Sequence, residues 1–278
     1  MKSVVRANRF ILFLFLYQIF IGVLTAKINL GNFLGQLIYT FVPIIFYFCL
    51  SHKKVDEVIS FQSISKKNFG LLILFALAVQ PVMSLVSFIS TSISKNYVGD
   101  MMPIIFSKPL WLVFIIYAVF PAISEEIIFR GIFFSGYKKI EFRKAIFING
   151  IVFGAMHLNL QQFLYAFIMG IIFCILVYHT QSIFSSIIVH LIFNCTQIIM
   201  GYISYKNLFP VYIMQIGISE IFYYVSMAII FLRISVYIFY LIIRNCETVA
   251  DRKISVENFL TPSLIIFLAF SFFIMILH

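Results

Sequence analysis

Ser124-Glu125-Glu126-Ile127-Ile128-Phe129-Arg130 sets two adjacent carboxylates and a guanidinium inside a hydrophobic run bounded by Phe120 and Phe133. The chain has only 10 acidic residues in 278, and two of them are neighbours here. A charge at membrane depth costs at least a few kcal/mol, so such residues face a protein interior or a watery cavity. Either a structural ion pair or chemistry has to offset that cost. The surroundings of the stretch decide which.

Those surroundings are apolar from end to end. Hydrophobic residues make up 63% of the chain and charged ones 11%, where a soluble domain carries about a quarter charged residues. Apolar runs long enough to cross a bilayer recur along the chain, which predicts an all-α, polytopic transmembrane helical bundle of about eight or nine spans. A transmembrane β-barrel is excluded, because its strands would alternate apolar and polar residues. No polar stretch is long enough for a soluble domain, so residues 1–278 read as a single membrane domain with a motif-bearing core at about 109–203. The net charge of +10 sits in short loops and reads as topology, with the lipid bilayer and not nucleic acid as the partner. Cys49, Cys174, Cys195 and Cys246 are scattered, without metal spacing or a disulfide pattern. The abundance of Ile, Phe, Lys and Asn points to an AT-rich, bacterial genome.

Taken in order, Lys2, Arg6 and Arg9 precede an apolar run at 10–24 that resembles a signal peptide; Leu24-Thr25-Ala26 is a poor cleavage site, which favours a retained span. Further spans are expected at 33–50 and 69–89. The stretch 109–136 holds the two glutamates, and Pro121 should kink it or open a fresh helix. Segments at 145–157, 163–178 and 183–203 follow. The run 211–243 reads as one crossing, interrupted by Glu220 and Arg233, and 262–277 is the last. Alternating the loops gathers the basic residues of the N-terminus and of 51–67, 137–144 and 244–253 on one side, against Lys27, Lys95 and Lys206 on the other. The excess of Lys and Arg places the N-terminus in the cytoplasm, in a cell membrane.

The buried polar groups fall in one layer. At 1.5 Å per residue, Glu125 lies roughly 16 Å in from Gly136, His157 about 18 Å from Ala145, and His190 and Asn194 about 10 and 16 Å from Ile183. Glu126 and Arg130 are four apart and share a helix face, so they pair. Glu125 projects about 100° away and lacks that partner. His190 and Asn194 also share a face, as do Phe153 and His157. Gly150 and Gly154 form a GxxxG pair that allows close approach of another helix.

A carboxylate, two imidazoles and an amide around a dry cavity suit peptide hydrolysis. Glu125 is the candidate general base for a water, His157 its partner in holding the water or carrying the proton onward, and His190 and Asn194 the oxyanion donors. A zinc scheme would use His157, His190 and Glu125 as ligands, but the chain has no HExxH motif.

Glu125-Glu126-x-x-x-Arg130, Phe153-x-x-x-His157 and His190-x-x-x-Asn194 resemble, in order and spacing, the three motifs of the CPBP family of type II CAAX prenyl endopeptidases and bacteriocin-processing or immunity proteins. The resemblance covers roughly 121–194. It implies a glutamate-dependent intramembrane endopeptidase with the base at Glu125, a water-positioning His157, oxyanion donors His190 and Asn194, and support from Glu126 and Arg130. Family members are often labelled metalloproteases; a metal-free mechanism without cofactor is the reading preferred here, with zinc as the other. The substrate expected is a peptide or membrane-protein segment, such as a bacteriocin leader or a pheromone, reached from the cytoplasm or laterally from lipid. The readings from other classes are a proton- or ion-coupled transporter and an inactive immunity or scaffold protein.

Overall fold

The computed structural model describes residues 2–28, 32–206, 218–246 and 259–277. Its elements are α1 (Lys2–Ile28), α2 (Asn32–Ser51), α3 (Lys66–Ser92), α4 (Tyr97–Phe106), α5 (Leu110–Gly136), α6 (Phe142–Ala155), α7 (Leu160–Thr180), α8 (Ile183–Tyr205), α9 (Ile218–Arg244) and α10 (Pro262–Leu277). Seven of these are long and apolar enough to cross a membrane, and α6 and α10 run beside them as shorter helices. The bundle is therefore a helical membrane protein, and the 7 long helices among the described residues, with the two shorter ones beside them, roughly fit the expected span number. Within 211–243 the structure describes one helix, α9; residues 211–217, Pro210, Arg252, Lys253 and the side chains of Lys27 and Glu220 lie outside what is described.

Burial sorts the helices. α5 is the most buried of the seven long helices, and α2 and α9 are the least. The glutamate helix is thus at the centre, packed on α8, with α2 and α9 outside. The first helix is no appendage: Ala7, Ile11, Leu14 and Phe15 are buried in the main core.

The contacts between loops define two ends. Ile183 N–H donates to the Ser60 carbonyl at 2.9 Å, Lys138 Nζ to the Glu57 carbonyl at 3.4 Å, and Lys67 Nζ to Asn245 Oδ1 at 3.1 Å. Buried Asn8 donates to the Phe259 carbonyl and Thr261 Oγ1, and accepts from Tyr137 Oη at 2.6 Å. The loops expected on one side therefore do lie together, and they carry the basic residues. At the other end, buried Gln161 accepts from Val98 N–H at 2.9 Å and donates to Thr91 Oγ1 and Asn96 Oδ1. That end carries Lys95 and Lys206, and also Lys108.

The GxxxG pair meets α7. A Cβ on Gly150 would lie 2.9 Å from the Phe167 carbonyl oxygen, and one on Gly154 2.8 Å from that of Phe163. Both obstacles are backbone and cannot yield, so the α6–α7 hairpin closes only because these residues are glycine. Gly154→Ala should lower stability by about 1–3 kcal/mol through overpacking. Gly22→Ala, with nothing within 4 Å, should be neutral or mildly stabilising, as helix propensity dictates. Thermal unfolding of the two variants in detergent compares them.

Candidate active site

Helix α5 is unbroken but not uniform. Two π turns, Ile115–Val119 and Ile127–Phe133, flank a short α-helical piece, Phe120–Glu126. Pro121 stands in the first turn of that piece, where a missing N–H costs least. The chain reaches it through the wide turn, with Phe120 N–H bonded to the Ile115 carbonyl. Pro121 therefore opens a fresh helical piece without bending the rod apart. Such π turns recur at functional sites.

The two glutamates part company as their helical phase requires. Glu126 is fully buried, and its Oε1 accepts from Arg130 Nη1 at 3.0 Å and from His190 Nδ1 at 2.9 Å. Arg130, itself buried, donates from Nη2 to the Gly170 carbonyl at 3.4 Å. Its guanidinium lies 4.3 Å from the Phe153 ring centroid and 4.8 Å from that of Phe173. A desolvated guanidinium gains from aromatic faces as well as from its carboxylate. Asn149, fully buried on α6, donates to the Phe129 carbonyl at 2.8 Å and ties that helix to the π turn.

Glu126 has a second role that its pairing with Arg130 concealed in the sequence. A carboxylate held by a guanidinium only accepts, so His190 Nδ1 must carry the proton between them. Nε2 is thereby turned to the other side, where it lies 3.9 Å from Glu125 Oε2. Phe173 stacks on the His190 ring at 5.0 Å between centroids and fixes its plane. Glu125, by contrast, keeps 28% of its side chain exposed.

His157 lies beyond the end of α6, in the turn, and not on the helix as the spacing from Phe153 supposed. The helix stops at Ala155 because the chain reverses, with Leu158 at φ 55°. The expected neighbour still holds it: Nδ1 lies 2.9 Å from the Phe153 carbonyl, which only accepts, leaving Nε2 as the free ring nitrogen. Asn159 locks the turn. Its Oδ1 caps α7 by accepting from Gln162 N–H, and its Nδ2 donates to the His157 carbonyl, both at 2.8 Å.

Glu125, His157, His190 and Asn194 all line one cavity of about 220 Å³. Residues from three segments of the chain therefore converge on a single space. Tyr117, Gln162 and Tyr165 share its wall, and Gln162 Nε2 donates to Tyr165 Oη at 2.9 Å. None of these three belongs to the motifs read from the sequence. The spacing Asn159–Gln162–Tyr165, one helical turn per step, was the available signal.

Among the described residues no three of His, Cys, Asp and Glu are grouped so as to hold a metal ion. Each imidazole has its Nδ1 engaged, by the Phe153 carbonyl and by Glu126, and turns its Nε2 to the cavity.

The fold and cavity define a polytopic helical membrane protein with a carboxylate–imidazole site inside the bundle. Residues 107–196 match the family described as Type II CAAX prenyl endopeptidase Rce1-like. Over 90 residues the chain is also 37% identical to a Bacillus subtilis (strain 168) protein named "Putative membrane peptidase YdiL". That alignment covers 32% of this chain and 37% of the relative's length. No solved structure matches. The matched segment is the one that carries all four cavity residues.

Proposed function

We propose that the protein is an intramembrane endopeptidase of the CPBP type, in a bacterial cell membrane with its N-terminus in the cytoplasm. The observation that carries this reading is the convergence of Glu125, His157, His190 and Asn194 on one cavity beside a buried Glu126–Arg130 pair. Glu125 takes a proton from water, and the hydroxide oxygen bonds to the scissile carbonyl carbon. His157, through its free Nε2, holds that water and carries the proton onward to the leaving amine nitrogen as the C–N bond breaks. Asn194 Nδ2 and the protonated His190 Nε2 donate to the oxyanion of the tetrahedral intermediate. Glu126 and Arg130 touch no substrate; they position His190. The reaction runs without metal, and the substrate is a peptide or membrane-protein segment, such as a bacteriocin leader or a pheromone precursor.

The test is cleavage of peptides by the purified protein in liposomes made up in ¹⁸O water, with and without a chelator. One ¹⁸O atom should enter each new carboxyl group, at an unchanged rate in the chelator. Ion flux across the liposome without cleavage would instead support the transporter reading. Activity lost to the chelator and restored by zinc would overturn the metal-free step.

A further inference from the structure

A second and larger cavity, of about 450 Å³, adjoins the first. Tyr117, Gln162, Tyr165, Phe193 and Asn194 line both, so the two spaces share a wall and Asn194 stands at their junction. The volume is that of an ordinary ligand pocket. Three methionines, Met83, Met101 and Met102, line it with Phe106, and Ser87 and Gln197 supply polarity; among the described residues no charged side chain lines it. Methionine suits surfaces that accept varied apolar groups. The chamber is roofed by α4, a helix with no buried residue of its own, anchored by Gln161 through Val98 N–H.

The chamber lies toward the end of the bundle that holds α4, opposite the basic loops. On the basic side the cavity is floored by closely packed groups: Arg130, Phe153 and Phe173 in contact, with Asn149 and Ser186 fully buried. This contrasts with the expectation of access from the cytoplasm. The Lys and Arg count makes the α4 end extracytoplasmic.

We propose that the substrate enters from the extracytoplasmic end, and that the chamber under α4 binds an uncharged, apolar stretch of peptide next to the scissile bond. The proposal rests on the reading of Glu125 as the catalytic group. It implies that a translocation step must first bring the segment to the outer face.

The test uses the full-length chain with its four cysteines replaced by Ser and one reporter restored, Ser87→Cys or Met101→Cys in the chamber, or Ser60→Cys at the basic end. A charged, membrane-impermeant maleimide is added to intact cells. Both chamber reporters should label from outside, and Ser60→Cys only after permeabilisation. In liposomes, a ten-residue peptide of Leu, Met, Ala and Ser should slow labelling of Ser87→Cys at least fivefold, and the same peptide with a central Lys should not. Chamber reporters that label only after permeabilisation would overturn the direction of entry. Protection by added phosphatidylglycerol but not by peptide would make the chamber an acyl-chain pocket and overturn the assignment. Labelling needs no catalysis, so its failure is distinguishable from failure of the peptidase reading, which the ¹⁸O assay reports.

Discussion

Glu125→Gln should lower the rate of peptide cleavage by about 10²–10⁴-fold, the usual contribution of a positioned general base, and leave the bundle folded. The amide keeps the size of the side chain and loses the ability to accept a proton. Folding is spared because Glu125 makes no short hydrogen bond among the described residues: the nearest charged partner there, His190 Nε2, is 3.9 Å away, and part of the side chain is exposed. The contrast with its neighbour is the informative part. Glu126→Gln should also impair cleavage, but through a weakened hold on His190 Nδ1, and it should cost stability that Glu125→Gln does not. Initial rates on a single peptide, with thermal unfolding of each variant in the same detergent, separate the two. A Glu125→Gln protein that unfolds at the parent temperature and cleaves at the parent rate would remove Glu125 from the mechanism.

Arg130→Met should destabilise the protein by about 3–5 kcal/mol, because it strands a buried carboxylate. Glu126 keeps the hydrogen bond from His190 but loses its guanidinium, and its Oε2 already has no hydrogen bond among the described residues. The guanidinium also fills the space between Phe153 and Phe173, which Met fills without the electrostatic gain. Adding Glu126→Leu should restore most of the lost stability, since an apolar pair replaces a buried ion pair at little net cost. It should not restore cleavage, because His190 then has no acceptor for Nδ1–H. Denaturation midpoints and cleavage rates of the single and double variants form the check.

Much of this site is legible in the sequence because helical phase is a local rule. The i,i+4 spacing gives the Glu126–Arg130 pair and leaves Glu125 free, and counting residues from the loops puts Glu125, His157, His190 and Asn194 at one depth. The glycines at 150 and 154 announce a close crossing for the same reason. The link from Glu126 to His190 is not legible, since it joins residues 64 apart on helices whose rotation is set by the whole bundle. The π turns escape too: their register depends on how α5 packs, and no residue type encodes a wide turn. His157 was misplaced onto a helix because Leu158 takes a left-handed conformation that an apolar residue rarely adopts. The chamber under α4 is invisible to periodicity, since 97–106 is too short to read as a span and its purpose appears only once it is folded over α8.

The packed layer beneath the cavity has an electrical consequence. A space that opens to one side of a membrane carries that side's potential inward, and the voltage then falls across whatever insulating protein remains. Here the insulator is the stack of Arg130, Phe153 and Phe173 with the closed helix packing below it. Moving a unit charge through the full field is worth about 2.3 kcal/mol per 100 mV. In the proposed mechanism, protons exchanged between Glu125 and His157 above that layer would move almost none of this distance. On that mechanism the bundle would hold a proton-transfer site without becoming a leak, and an energised membrane would neither drive the chemistry nor drain through it.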